Sequence, residues 1–332
     1  MIWLPRPKRT RAQAILWLSA RWGGAFTPLL VIWVMSLLSW RNTFALFGTL
    51  GVIWAFAFHR SFRDHNPPHV VAAPETLEQP PHTVPNPAEQ ANADTPAGPL
   101  HVPWRKLLSS RTVWLLWVQY FCLTYGWFFY VTWLPTYLKE TRGLELDQNA
   151  FMLWLGNVLR ELLTPETTRT VLVAALAGIP LFFGGLGAIV CGLVTPHLVR
   201  QTGSVARTRQ TIAVLGFTGA AALLVSSAYI RDPLLAMLAM GLASFCNDLT
   251  MPGSWSTCMD VGAEYAGTLS GSMNMMGSIG AAIAPLVIGI ILDSSGRNWA
   301  LTFWISGIIY FLGGLCWLWL DPVTPIEAHT VE

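Results

Sequence analysis

Residues Ala266–Leu292 read AGTLSGSMNMMGSIGAAIAPLVIGIIL, a run of 27 residues without a charge. At about 1.5 Å per residue, a helix of that length crosses a hydrocarbon core of roughly 30 Å. A helix facing lipid all round would not carry Asn274. One inside a water-soluble core would not favour so many glycines and Pro285. Spacing resolves the conflict. On a helix, Ser270, Asn274, Ser278 and Ala282 recur at every fourth position and form a narrow polar-to-small stripe, with Gly277, Ala281, Pro285 and Gly289 as a small-residue stripe beside it. Small stripes let helix backbones approach closely, and an amide at membrane depth needs a partner in another helix, in water or in a ligand. The run therefore reads as a membrane-crossing helix with one packed face. Asn274 is either an interhelical hydrogen-bonding group or a ligand contact.

The rest of the chain has the same character. Its 332 residues are 53% hydrophobic and only 11% charged, against about 25% charged in soluble domains. A water-facing surface cannot be built from that. Seven further apolar runs, about Gln13–Ser39, Asn42–Phe62, Thr112–Leu138, Val171–Thr195, Thr211–Ile230, Pro233–Ser256 and Trp299–Leu320, bring the expected spans to eight. The fold class is an all-α polytopic membrane protein. With the N-terminus inside, twelve of the 20 Lys and Arg residues fall on inner segments and seven on outer ones, Arg21 lying within a span. That bias puts both termini in the cytoplasm and suits a bacterial-type inner membrane.

Two connections are long. Arg63–Pro103 holds ten of the 22 prolines and four of the seven histidines (His65, His69, His82, His101), and reads as an unstructured inner linker. The outer connection, about Lys139–Thr170, contains NAFMLWLGNVLRELL, whose one-sided apolar pattern suggests a short helix lying on the membrane surface. The five cysteines form no CxxC pair, so neither a disulfide framework nor a zinc site is indicated. No nucleophile–base arrangement and no phosphate-cradling loop is visible. An enzyme is not expected, nor a cofactor.

Three spans carry polar groups that plain lipid anchors would not. Asp248 is the only acid well inside a span, and acids there mark ion or proton pathways or pair with a neighbour. Pro252 and Gly253, close by, are expected to break that helix and free backbone groups. Arg21, in SARWGGAFTP, could face an anionic solute, snorkel, or pair with an acid such as Asp248. The third span, VQYFCLTYGWFFYVTWLPTYL, places Gln119 and Tyr125 deep in an aromatic-amide wall suited to a sugar-like solute.

With these residues in hand, the chain resembles the major facilitator superfamily, and within it the anion:cation symporter branch. ARWGGAFTPLL with SWRNTFALFGTLGVIW is similar to that branch's fifth and sixth helices. VPWRKLLSSRTVW and TWLPTYLKETRGL are similar to the two ends of its seventh. SWSTCMDVGAEYAGTLSGSMNMMGSIGAAIAPLVIGIIL is similar to its tenth and eleventh. The resemblance implies a partial major-facilitator fold: residues 1–62 as two helices of an N-terminal half, 63–110 as the linker, and 111–332 as a six-helix half. On this reading the family's first four helices would be encoded upstream. It further implies proton-coupled alternating-access carriage of a small organic anion such as a sugar acid. Asn274, Ser254, Trp255 and Gln119 match the family's substrate contacts, while Tyr125, Arg21 and the proton-coupling candidate Asp248 rest on the residues alone. The inner loop GLVTPHLVRQTG departs from the family in having Pro196 where an Asp is usual. The rival reading is a non-transporting membrane protein, a sensor or assembly partner that uses the same cavity only to bind.

Overall fold

The computed structural model describes residues 6–61, 104–142 and 165–326, with Val102 and Asn157 as single positions. The Pro-rich linker and the surface helix expected near Asn149–Leu163 lie outside the described residues. Every described element is helical. In chain order they are α1 (Arg6–Leu37), α2 (Trp40–Ser61), α3 (Trp104–Ser109), α4 (Arg111–Phe128), α5 (Leu134–Tyr137), α6 (Pro165–Thr202), α7 (Val205–Ser227), α8 (Pro233–Gly262), α9 (Ala266–Ser294) and α10 (Trp299–Trp319). Each of the eight expected spans corresponds to helix. By length and composition six stretches could cross a membrane, and the longest, Leu234–Ser294, is α8 and α9 joined by a 3₁₀ turn at Ala263–Tyr265. The remaining span is α4, which runs on through a π turn at Phe129–Trp133, then α5, then a second π turn at Leu138–Arg142. Pro135 explains the irregularity: it lacks an N–H, and its ring clashes with the carbonyl four residues back, so the helix widens just before it. One expectation is corrected. Pro252 does not break α8, which is continuous from Pro233 to Gly262.

The chain divides into two units. One comprises α1 and everything from Trp104 onward, and the other spans Leu38–Pro103. In the smaller unit, α2 exposes Phe44, Val52, Trp54 and Phe56, and Thr43 is its one buried residue. A helix apolar all round is suited to lipid.

In the larger unit local chemistry sets the helix ends. Asp232 accepts from the Leu235 N–H at 2.9 Å ahead of Pro233 at the first turn, a favourable start for α8. Ser204 caps α7 in the same way, after Gly203 has turned the chain at φ +65°. α1 lies against α6 through small residues. Gly192 approaches Ala14, and a Cβ on Gly178 would come within 3.1 Å of the Ala25 carbonyl oxygen. At the end of the bundle where α1 begins, Asp260 of α8 pairs with Arg9 of α1 and, at 2.7 Å, with Arg209 of α7. Arg209 also donates to the Pro322 carbonyl at 2.8 Å, which ties down the chain leaving α10. At the opposite end Arg297 meets Glu140 at 3.0 Å. Between these charged ends the interior is apolar and aromatic, except at its centre.

Candidate functional site

The central exception is an ion pair. Arg21 of α1 donates from Nε to Asp248 Oδ2 at 2.6 Å and from Nη2 to Oδ1 at 2.8 Å. Asp248 is fully buried and Arg21 is 7% exposed. An unpaired charge at this depth costs about 3 kcal/mol or more, so two groups on helices 227 positions apart in sequence satisfy each other. The fork geometry needs arginine, since a lysine ammonium offers no planar pair of donors. Two further contacts hold the pair. The guanidinium sits 3.3 Å from the centroid of the Trp127 ring, a close cation–π contact, and the Asn247 amide donates to Asp248 Oδ1 at 3.0 Å. Gly184 of α6 makes room: a Cβ there would fall 2.3 Å from Asp248 Oδ2.

Arg21 also lines a cavity of about 500 Å³. α1 contributes Trp17 and Arg21. α4 contributes Tyr120, Thr124, Trp127 and Phe128, α8 contributes Met251, and the rest of the wall comes from α9. On that side Asn274, Ser278 and Ala282 of the polar stripe face the cavity with Gly277 and Ala281 of the small stripe. Gly277 is required here, because a Cβ would lie 2.6 Å from the Tyr120 ring. The Asn274 side-chain amide has no protein partner among the described residues. The cavity thus offers one cation, one amide, three hydroxyls (Tyr120, Thr124 and Ser278) and an aromatic wall. That set suits a small anion with an apolar or hydroxylated body.

The other candidates sit elsewhere. Gln119 is fully buried and engaged within the protein: its Oε1 accepts from Trp317 Nε1 at 3.2 Å and from Ser254 Oγ at 3.3 Å, and its Nε2 donates to the Leu116 carbonyl at 3.0 Å. Ser254 is likewise fully buried. Neither lines the cavity. Trp255 stands one layer back, donating from Nε1 to the Tyr120 hydroxyl at 3.2 Å and lying 5.8 Å from Trp17 between ring centroids. Tyr125 is 2% exposed, and its hydroxyl meets no partner among the described residues. The structure thus brings Arg21, Asp248 and Asn274 to one site and leaves Gln119 and Ser254 in the packing behind it. Residue reasoning missed Trp17, Tyr120, Thr124 and Trp127. Helical spacing carried a signal for each, since Trp17 is one turn before Arg21 and 120, 124 and 127 share a face of α4.

A larger cavity, about 670 Å³, lies at the opposite end around Tyr137, Trp299 and Phe303. Its charged residues Glu140 and Arg297 already neutralise each other and are partly solvated, so they hold a solute weakly. The Arg21 cavity is the candidate site.

A model of the Major Facilitator Superfamily matches residues 2–285. The chain belongs to that superfamily. Among its relatives is a probable sulfoacetate transporter of Cupriavidus necator, 28% identical over 328 residues, covering 98% of this chain and 68% of the relative. A chloroplastic ascorbate transporter of Arabidopsis thaliana is 26% identical over 320 residues, or 95% of this chain and 52% of that protein. A probable L-galactonate transporter of Escherichia coli is 22% identical over 320 residues, or 96% and 63%. The chain therefore spans roughly half to two thirds of the length of these curated relatives. Superfamily and relatives alike are carriers rather than enzymes, and the chain is an integral membrane protein.

Proposed function

We propose that this chain binds a small organic anion, a sugar acid or short sulfonate, in the Arg21 cavity and takes part in carrying it across the membrane by proton-coupled alternating access. The observation that carries the reading is the meeting of Arg21 and Asn274 in one aromatic-walled cavity at the centre of the helices. The relatives' printed substrates, sulfoacetate and L-galactonate, support the same class.

Charge balance gives the mechanism. In the resting pair the Arg21 cation and the Asp248 anion cancel, as a low-dielectric site requires. When Asp248 takes a proton, Nε and Nη2 lose their ionic acceptor while the guanidinium stays charged on the Trp127 face. A carboxylate or sulfonate can then accept the same two N–H groups, and the site is neutral again. One proton therefore accompanies one monoanion. Asn274 would reach the hydroxyls or second oxygens of the solute, and Trp17 and Tyr120 would stack against its body. Alternating exposure follows if the helix groups rock about this midplane site. The Lys and Arg distribution supports a cytoplasmic N-terminus.

The test is uptake and counterflow of labelled hexuronate and sulfoacetate in proteoliposomes holding the purified chain. An inward proton gradient should drive uptake, and Asn274→Ala should abolish it while membrane insertion is unchanged. Binding without uptake or counterflow would favour the non-transporting reading. Uptake kinetics untouched by Asn274→Ala would remove that residue from the site.

A further inference from the structure

Around the ion pair lies a set of polar groups that solute binding does not use. On α8, Ser244 is one turn from Asp248 on the side away from Asp260, and both it and Asn247 are fully buried. The Ser244 hydroxyl and the Asn247 side-chain oxygen Oδ1 have no partner among the described residues. Across from them, Tyr130 stands in the first π turn of α4 and Tyr310 in the middle of α10, and they are 1% and 0% exposed. Their hydroxyls lie close to each other, neither makes a well-formed hydrogen bond to a described residue, and both lie within the electrostatic reach of Asp248. Tyr310 is seated by Gly126, where a Cβ would fall 2.5 Å from the phenol oxygen, next to the Trp127 that supports Arg21. On α10, Thr302, Ser306 and Tyr310 recur at every fourth position, and all three are fully buried. The Ser306 hydroxyl also has no partner among the described residues. This stripe climbs from the Arg21–Asp248 level to Trp299 and Phe303, which line the larger cavity at the Glu140–Arg297 end.

Buried hydroxyls and amide oxygens that no protein group satisfies take up ordered water, since leaving them bare costs about 1–3 kcal/mol each. Four such hydroxyls, those of Ser244, Tyr130, Tyr310 and Ser306, with the Asn247 amide oxygen beside the buried carboxylate, form more than scattered packing. We infer that Ser244, Tyr130, Tyr310 and Ser306, with the water they hold, make a proton-conducting file between Asp248 and the cavity at the Glu140–Arg297 end.

The inference rests on the proposed exchange of a proton at Asp248. A proton enters from water in the cavity. Each hydroxyl accepts it on a lone pair while passing its own proton inward, and Asp248 ends as a neutral carboxyl with the file restored. Among the described residues, the charged group facing Asp248 is Arg21 of α1, and the weakly acidic groups coupled to it are Tyr120, Tyr130 and Tyr310. From α6 Gly184 abuts the carboxylate, and the charges of α7 and α9 sit near their ends, Arg207 and Arg209 in one and Asp293 in the other.

The file is separable from the carboxylate it serves. Trp127 and Trp17 flank Arg21, so intrinsic fluorescence reports the pair. In stopped-flow acid jumps, the wild-type chain in nanodiscs should show a fluorescence change that Asp248→Asn abolishes. Tyr310→Phe, Tyr130→Phe and the milder Ser306→Ala should keep the amplitude, which shows an intact pair, yet slow the response about tenfold or more. A response absent in wild type, or retained in Asp248→Asn, overturns proton exchange at Asp248 and the file with it. Wild-type rates in all three hydroxyl variants, with Asp248→Asn silent, overturn the file alone.

Discussion

At Gly184 a missing side chain holds an ion pair in place. Asp248 Oδ2 occupies the space a Cβ would need, and Arg21 reaches that same oxygen from α1. Gly184→Ala should therefore push the carboxylate out of the fork and, by freeing the two Arg21 donors for the solute, strengthen organic-anion binding, with helix content by circular dichroism unchanged. Arg21→Lys tests the same geometry from the other side. The charge remains, but the two-pronged donation does not, so affinity should fall about tenfold or more by titration calorimetry. Asn274 and Asp248 were legible as residues because an amide and an acid are conspicuous in charge-free runs. That Arg21 pairs with Asp248 was legible only as one of three options. Sequence alone does not say which face of α1 meets α8, a choice made by Gly178, Gly185 and Gly192 letting α1 settle on α6. Gln119 shows the opposite failure. A deep amide reads as a solute contact until Trp317, 198 positions away, is found donating to it.

At the scale of elements, hydropathy located the helices well and their irregularities poorly. α8 passes through Pro252 without a break, and side chains absorb part of the disturbance: Ser256 donates to the Pro252 carbonyl at 2.7 Å and Ser254 to that of Thr250 at 3.1 Å. α4, by contrast, widens at two π turns around Pro135. The difference lies in the neighbours. α4 meets α9 through directional bonds, Trp117 Nε1 to Ser272 Oγ at 3.1 Å and Trp133 Nε1 to the Pro285 carbonyl at 3.3 Å, which fix both of its ends against one partner. Gly277 lies between those two contacts. Gly277→Val should drive α4 and α9 apart at Tyr120 and lower stability by about 1–3 kcal/mol, measured as a downward shift of the thermal melt in detergent. At the other end of the site, Asp260 joins α1, α7 and α8 through two guanidinium groups and is almost wholly buried, at 1% side-chain exposure. Asp260→Asn leaves those cations without their counter-charge, and a loss of about 3–5 kcal/mol is expected in the same melt. Anion affinity at Arg21 should be unaffected, because the two clusters share no residue.

For the molecule as a whole, the larger unit seals both ends with charge and keeps a polar centre. Arg9, Asp260 and Arg209 close one end, Glu140 and Arg297 mark the other, and Arg21 with Asp248 sits between them beside a cavity of about 500 Å³. A membrane-buried ion pair adds little to stability over an apolar equivalent, so its presence here points to use. The most direct measurement is the affinity of the purified chain for hexuronate and sulfoacetate, followed by quenching of Trp17 and Trp127 fluorescence. The account predicts saturable binding that Arg21→Gln and Asn274→Ala each weaken about tenfold or more, while Gln119→Glu, outside the cavity wall, changes it far less. Binding that survives both cavity substitutions unchanged, or is absent from the wild-type chain, would contradict it.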